Sequence, residues 1–240
     1  EGPARPADAL DVFFRAELAP SGFAWRVPIR REGRPRAKVG VMAPGRPRRA
    51  LERLVDDLRQ RGEVCDAGAA VVTRPLPLGP LGRTYADRVL VIGDAAGLVK
   101  PTTGGGIYYS LLSAGWAAEA VRAAFDRGDF SAGTLAAYEE SWRSRLGAEL
   151  RVGLWFRRLA ARLTPDDLDA LVELAIVDGV VPLIRSTARF NWHRDLILTG
   201  FRHPGVLRIV VARLLQTTKR GREGSAGRPA AAHRAGEGRG

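Results

Sequence analysis

The stretch that decides the fold lies at residues 88–125 and reads RVLVIGDAAGLVKPTTGGGIYYSLLSAGWAAEAVRAAF. The continuous apolar run at 89–92 predicts a strand that is covered on both faces, and a Gly-Asp pair ends it. The Pro/Gly-rich segment 101–106 predicts a loop. From Ile107 onwards the pattern predicts a helix. A strand followed by a glycine-rich loop and a helix N-terminus is typical of a site that holds anionic groups.

The sequence GDAAG followed by PTTGGGIYYSLLSAG resembles the second FAD-contacting motif of the para-hydroxybenzoate-hydroxylase-like flavoproteins. Within that superfamily it is similar to the geranylgeranyl reductase family, because the aromatic hydroxylases usually carry His where this chain has Gly97. The resemblance implies FAD as the cofactor, with Asp94 on its ribityl chain. The helix that begins at Ile107 would face the flavin pyrimidine edge and the pyrophosphate. The cofactor-binding residues implied in this way are Gly93, Asp94, Ala95, Ala96, Gly97, Pro101, Thr102, Thr103, Gly104, Gly105, Gly106 and Ile107.

Elementary electrostatics agrees with these implied roles. Reduced flavin carries negative charge near N1, and a helix N-terminus presents unpaired N–H groups with about half a positive charge. Glycines at 104–106 remove Cβ atoms where the backbone has to lie against a planar ring. The loop has no Lys-Ser/Thr after its glycines, so it does not match a Walker A loop.

The N-terminal part predicts an antiparallel meander and one helix. Its predicted strands are 11–18, 23–29, 37–42 and a short one within 64–72, with a charged turn at 30–35 and an amphipathic helix at 47–61. Reductases of the family carry a Tyr-x-Trp-x-Phe-Pro segment and a Gly-x-Gly segment near the polyprenyl site. Here they read FAWRVP and VGV, so the resemblance is partial. It implies substrate-binding roles for Phe23, Trp25, Pro28 and Gly40.

Residue pattern alone gives Phe23 and Trp25 a simpler interpretation. They stand two residues apart and share one face of a strand, where two aromatic side chains commonly fill an ordinary core. Arg74, in the proline-rich crossover, is expected to face solvent. Cys65 is expected to be a buried or half-buried structural thiol.

After the glycine-rich motif the chain predicts helices and then a tail. Thr164 is the expected N-cap of a helix that has Pro165 at its first position. The tail after residue 218 has no apolar periodicity and predicts disorder. The predicted helices are 134–163, 168–177, 180–191 and 204–217. The expected organisation is a partial substrate domain at 1–80, an FAD-binding segment at 81–130, a helical region at 131–218 and a disordered basic tail at 219–240.

Composition limits the classes of function. The formal net charge of +12 favours anionic partners, and a basic module for nucleic acid or anionic membrane is an alternative function. That alternative rests on charge alone, because no recognition-helix or aromatic-basic pattern accompanies it, and nucleic acid is not expected. Cys65 is the single cysteine, and His193 lacks partners at metal-ligand spacing, so no metal is expected. The expected location is the cytoplasm, with peripheral membrane contact.

The chain contains no G-x-G-x-x-G, the motif that holds the ADP half of a dinucleotide cofactor. The predicted fold class is therefore α/β (α+β), the C-terminal half of a two-domain FAD-binding oxidoreductase. The missing N-terminal half is expected in cis or in trans. The implied activity is reduction of C=C bonds in a geranylgeranyl or polyprenyl small molecule or lipid, with NAD(P)H or ferredoxin as electron donor. The alternatives are a monooxygenase or halogenase of the same fold and a non-catalytic fragment.

Overall fold

The computed structural model describes residues 9–213 apart from 16, 20, 66–69 and 178–179. The chain combines small antiparallel sheets with a helical C-terminal region, which confirms the predicted mixture of α and β structure. The strands are β1 (Asp11–Phe13), β2 (Phe23–Arg31), β3 (Arg34–Met42), β4 (Tyr85–Ala86) and β5 (Val89–Leu90). The helices are α1 (Pro47–Gln60), α2 (Ile107–Arg127), α3 (Ala132–Ala160), α4 (Pro165–Val177), α5 (Val180–Thr187) and α6 (Arg194–Gly200), and residues 204–213 are also helical. The tail at 219–240 lies outside the described residues.

Strand β2 is the centre of the first sheet. It pairs with β1 over three residues and with β3 over its whole length, from Phe23 opposite Met42 to Arg31 opposite Arg34. The turn between β2 and β3 has positive φ at both central residues, a type of turn that matches the twist of a hairpin. Pro28 lies beyond the β1 pairs, so its missing N–H interrupts no ladder on that side.

Helix α1 covers one face of this sheet. Leu54 and Leu58 are fully buried and pack with Ala24 of β2 and Leu18. Because side chains alternate along a strand, the neighbours of Ala24 lie on the opposite face, away from α1. The predicted helix at 47–61 is confirmed, with its last helical residue at Gln60.

A second core lies between α2 and α3. Tyr109, Tyr138 and Trp142 are its largest buried side chains. The Tyr138 hydroxyl donates to the Val91 carbonyl at 2.9 Å, and the Trp142 indole N–H donates to Thr84 Oγ1 at 2.8 Å. Burial raises the pKa of Tyr138 to about 12, so its hydroxyl remains a donor at neutral pH. These bonds attach α3 to the segment that carries β4, β5 and the glycine-rich loop.

The proline-rich crossover at 73–80 packs directly on the turn that follows β5. Gly97 has φ +70°, and a Cβ atom there would lie 1.9 Å from the Gly79 carbonyl oxygen. The crossover and the turn therefore approach each other through backbone alone. The crossover leaves Arg74 exposed, as predicted.

Several predicted strands are wrong. Residues 64–65 and 70–72 form no strand in the part of the chain that is described, and β1 ends at Phe13 rather than at Leu18. The predicted strand at 89–92 is reduced to Val89–Leu90, and Val89 and Ile92 are exposed. Apolar content alone does not make a strand that is buried on both faces: Leu90 and Val91 pack against the second core, but β5 has a single described partner, β4, and Val89 and Ile92 are left exposed.

Two further expectations also need correction. Cys65 is exposed, not buried. The helix predicted at 180–191 ends at Thr187, and a tight turn with a bridge between Arg189 and Trp192 leads into α6, which the sequence pattern did not predict. The side chain of Thr164 does accept a hydrogen bond from the Asp167 N–H at 3.4 Å, so its predicted capping role is confirmed.

We expect Trp142→Phe to lower the free energy of unfolding by roughly 2–4 kcal/mol, because it removes buried volume and leaves Thr84 Oγ1 without its indole donor. Trp155→Phe is the matched control on the same helix, since Trp155 is half exposed, and should cost less than about 1 kcal/mol. Urea denaturation of both variants measures the difference. Equal losses would contradict the assignment of Trp142 to the core.

Gly97→Ala should destabilise the chain by at least about 2 kcal/mol, because the new methyl group meets a carbonyl oxygen at a positive φ. The matched substitution is Gly115→Ala on the exposed face of α2, where nothing lies within 4 Å of the added Cβ. It should stabilise by about 0.5–1 kcal/mol through helix propensity. Thermal unfolding of the two variants measures both changes in stability. Unchanged stability in Gly97→Ala would contradict the close approach of the backbone at Gly97 to the Gly79 carbonyl.

Candidate functional site

The turn after β5 brings the Gly-Asp pair to the start of α2. Residues Gly93–Ala96 form a short 3-10 turn that closes with hydrogen bonds from the N–H groups of Gly97 and Leu98, each 3.0 Å long. A Cβ atom at Gly106 would lie 2.0 Å from Asp94 Oδ1, so the exposed carboxylate rests against the backbone at the N-terminus of α2. Any side chain at Gly106 would separate them.

The start of α2 is open to a ligand. Its N-cap residue, Gly106, supplies no side-chain hydrogen bond, and the first turn carries no acidic residue. The first N–H groups of the helix therefore keep their capacity to donate. An open groove of about 500 Å³ lies beside them, lined by Ile92, Gly93, Asp94, Ile107, Ser110, Leu111 and Ala114. The Asp94 carboxylate can accept hydrogen bonds from hydroxyl groups, and the N-terminus of α2 beside it favours negative charge. Together they suit a ligand that is both polyhydroxylated and anionic.

The glycine-rich loop closes on itself. The Lys100 N–H donates to the Gly105 carbonyl at 3.1 Å, and the Gly104 N–H donates to the Lys100 carbonyl at 2.8 Å. Gly104 has φ +73°, which L side chains rarely adopt. The loop is therefore a defined turn, and its backbone geometry favours glycine at position 104.

The predicted substrate residues form an aromatic face on the first sheet. The rings of Phe23 and Trp25 are 5.6 Å apart, and Phe14 adds a third ring 6.2 Å from Phe23. Gly40 lies opposite Trp25 in the ladder, and a Cβ atom there would lie 2.2 Å from the indole ring. Trp25 therefore lies across the Gly40 backbone. Pro28 stands on the opposite face of β2 and does not join this group.

The aromatic face reaches the glycine-rich loop through Met42. By the register of the hairpin, Met42 is on the same face as Phe23 and Gly40. A Cβ atom at Gly104 would lie 2.9 Å from Met42 Sδ and 2.7 Å from Leu76 Cδ2. The predicted cofactor loop and the predicted substrate wall thus adjoin at Gly104, although Gly104 follows Met42 by 62 positions in the sequence.

Two cations hold the loop from the helical side, and sequence reasoning missed both. The guanidinium of Arg157 donates to the Pro101 carbonyl and to the Ser21 carbonyl, each at 3.2 Å, and burial lowers its pKa. The Lys100 ammonium donates to the Phe190 carbonyl at 3.1 Å and to Asn191 Oδ1 at 3.3 Å. Burial lowers the pKa of Lys100 as well.

A compositional signal for Lys100 was present in the sequence. The 38 basic residues are arginines apart from Lys38, Lys100 and Lys219. A lysine inside the motif is therefore unusual for this chain, and its ammonium is more compact than a guanidinium. By contrast, nothing in the sequence marks Met42 or Leu76, because their role depends on which distant backbone they touch.

The segment 190–194 is also part of this region. Thr102 Oγ1 and His193 Nδ1 are 2.6 Å apart, and the Tyr109 hydroxyl donates to the Asn191 carbonyl at 2.9 Å. His193 therefore contacts the predicted cofactor loop, and it also stands at the N-cap position of α6, without a capping hydrogen bond from its side chain. Among the described residues there is no group of three His, Cys, Asp or Glu side chains that could hold a metal ion.

Comparison with known proteins gives relatives that are named digeranylgeranylglycerophospholipid reductases. The chain is 34% identical over 169 residues to digeranylgeranylglycerophospholipid reductase 2 of Methanothermobacter thermautotrophicus, covering 69% of this chain and 42% of that protein. It is 32% identical over 185 residues to the protein of the same name from Methanopyrus kandleri, covering 74% and 46%. The chain therefore spans somewhat less than half the length of these curated relatives. No protein-family model matches the chain.

A solved structure shares the fold. It is a geranylgeranyl bacteriochlorophyll reductase-like protein from Thermoplasma acidophilum, with a TM-score of 0.58 and 22% identity. The match covers 86% of this chain and 48% of that protein. The sequence relatives, which are named reductases, agree with the resemblance carried by the motif at 93–107, and the chain belongs to the geranylgeranyl reductase family.

Proposed function

We propose that this chain is the part of an FAD-dependent reductase that holds the flavin end of the cofactor beside a wall for a polyprenyl chain. The assembled enzyme saturates C=C bonds of a geranylgeranyl or related polyprenyl lipid. The observation that carries the proposal is the contact of Met42 and Leu76 with Gly104, which joins the aromatic face to the cofactor loop. A reaction between a flavin and an apolar chain requires this proximity.

The residues of the site fit FAD. Asp94 is an exposed acceptor for ribityl hydroxyl groups, and the uncapped start of α2 suits the negative charge of the pyrophosphate or of the reduced ring. The glycines at 104–106 leave backbone free to lie against a planar ring. When bound and reduced by NAD(P)H or ferredoxin, FAD supplies the hydride for the C=C bond, and a proton completes the saturation.

The wall fits a long apolar chain. Phe14, Phe23 and Trp25 present three adjoining rings, and Met42 adds a flexible apolar side chain that adapts to irregular shapes. Binding here would exclude water from the ring of the cofactor, which protects a hydride donor from side reactions. The names of the relatives, digeranylgeranylglycerophospholipid reductases, support a membrane lipid as the substrate.

The ADP half of the cofactor would be held by polypeptide outside these 240 residues, in cis or in trans. The exposed side of α2 supports this assembly, because Ile107 and Leu111 are 83% and 69% exposed and Phe125 extends the same apolar surface. Val89 and Ile92 continue it on the segment of β5. An apolar surface of this kind usually marks an interface. The matched relatives are more than twice as long as the region they share with this chain.

The substrate would bring the enzyme to a membrane surface from the cytoplasm. No helix within the described residues is long and apolar enough to cross a bilayer. The basic balance of the chain would favour peripheral contact with a surface of anionic lipid.

Asp94→Ala should weaken FAD binding by the chain assembled with an ADP-binding half. The expected loss is roughly 1.5–3 kcal/mol, the range for hydrogen bonds to a charged group, or about ten- to a hundredfold in Kd. Asp126→Ala is the matched control, since Asp126 is an exposed carboxylate at the far end of α2. Fluorescence titration of both variants measures the difference. Unchanged FAD affinity in Asp94→Ala would refute the assigned role.

The assembled enzyme should reduce a geranylgeranyl lipid under anaerobic conditions. Each saturated double bond adds two hydrogen atoms, which mass spectrometry of the lipid detects directly. The chain without an ADP-binding half should retain little or no FAD and should show no turnover. A reduced flavin that reacts with oxygen and leaves the lipid unchanged would overturn the reductase proposal in favour of oxygen chemistry.

A further inference from the structure

Three side chains from the glycine-rich motif end on one short segment, Phe190–Arg194. Lys100 reaches the Phe190 carbonyl and Asn191 Oδ1, and its ammonium lies 4.4 Å from the centre of the Phe190 ring. Thr102 contacts the ring of His193, and Tyr109 donates to the Asn191 carbonyl. The loop is therefore attached to a part of the chain about 90 residues further on, at several atoms.

The segment 190–194 is itself fixed to the core. The Trp192 ring packs against Tyr108 and Tyr109, with centroid distances of 6.0 and 6.1 Å. The buried carboxylate of Glu149 accepts from the backbone N–H groups of His193 and Arg194. Since Glu149 is on α3, the segment is held by both helices of the second core. A loop attached to this segment is attached to the core.

Tyr109 contributes a donor that does not titrate at neutral pH. Burial and the nearby carboxylate of Glu149 raise the pKa of Tyr109 well above its ordinary value of 10. Its hydroxyl therefore donates to the Asn191 carbonyl over the whole physiological range. This bond connects the first turn of α2 to the segment 190–194.

Lys100 is the central attachment. It is 7% exposed, and a Cβ atom at Gly105 would lie 2.8 Å from its Cε, so its aliphatic stem runs directly beneath the loop backbone. Its described partners are a carbonyl, an amide oxygen and an aromatic ring, with no carboxylate among them. An ammonium is compact enough for this space and has three donors, whereas a guanidinium is larger and planar.

We propose that the segment 190–194 positions the glycine-rich loop, with Lys100 as the positioning residue. The C-terminal helical layer thereby sets the backbone shape of residues 100–106. The consequence for the cofactor rests on the proposed function, because it requires that this loop contacts the flavin. The attachment of the loop to the helical layer does not depend on that assumption.

Amide hydrogen exchange of the 240-residue chain tests the attachment without any cofactor. The Gly104 N–H, which donates to the Lys100 carbonyl, reports on closure of the loop. In Lys100→Met its exchange should become about tenfold faster or more, since loss of one charge-assisted hydrogen bond corresponds to at least roughly that factor. Asn191→Ala should act in the same direction with a smaller effect, because it removes one acceptor and leaves the lysine in place.

Lys38→Met is the matched control, because Lys38 is an exposed lysine on β3 and undergoes the same chemical change. Its Gly104 N–H should exchange at the unmodified rate, and amides of α1 should be unaffected in all three variants. Wild-type exchange at Gly104 in both Lys100→Met and Asn191→Ala would overturn the proposal. An equal acceleration in α1 would overturn it as well, since it would indicate global destabilisation.

A second readout concerns the cofactor and separates this inference from the proposed function. In the chain assembled with an ADP-binding half, Lys100→Met should weaken FAD binding and shift the flavin absorption band, and Lys38→Met should do neither. A looser loop with an unchanged flavin spectrum and affinity would overturn the link between the segment 190–194 and the cofactor. Failure of the unmodified assembly to bind FAD would overturn the proposed function and leave the exchange result standing.

Discussion

Gly104 is the point where the glycine-rich loop meets the first sheet. A Cβ atom there would lie 2.9 Å from Sδ of Met42, on the first sheet, and 2.7 Å from Cδ2 of Leu76, in the crossover, and L side chains rarely adopt its φ of +73°. The rest of the arrangement depends on the contact, because it brings an aromatic face and an open helix N-terminus to the same place.

The loop is held on its other sides by polar contacts to carbonyl groups. Arg157 connects Pro101 to Ser21, and Lys100 connects the loop to residues 190–191. Lys100 is buried and Arg157 is half-buried, and their carbonyl and amide partners offset the loss of solvation that burial imposes on a charge. The loop therefore presents a fixed backbone to one side and is tied to the helical region on the other.

Sequence reasoning reached the family and the main elements because those signals are local. The glycines, the Gly-Asp pair and the start of α2 at Ile107 follow from residue types in one continuous stretch. The pairing of Phe23 with Trp25 on one face follows from the period of a strand. The resemblance to the family implied site roles for these residues, and the structure brings Trp25, Gly40 and Gly104 into one region through Met42.

The errors arose where the outcome depends on distant parts of the chain. The apolar run at 89–92 looked like a strand buried on both faces, but only Leu90 and Val91 pack against the second core, and Val89 and Ile92 are exposed. The helix predicted at 180–191 extended into the turn at 189–192, because nothing in the local sequence shows that Trp192 packs on the distant Tyr108 and Tyr109. Lys100 was overlooked because its partners lie about 90 residues away and no local pattern marks them.

The central claim is that the loop at 100–106 and the start of α2 contact the flavin. Hydrogen exchange of the assembled enzyme with and without FAD tests it most directly. The account predicts that FAD protects the amides at 104–108 and leaves those of α1 unchanged, because α1 lies on the far face of the first sheet. Protection confined to other parts of the chain, with exchange at 104–108 unaffected by FAD, would contradict the account.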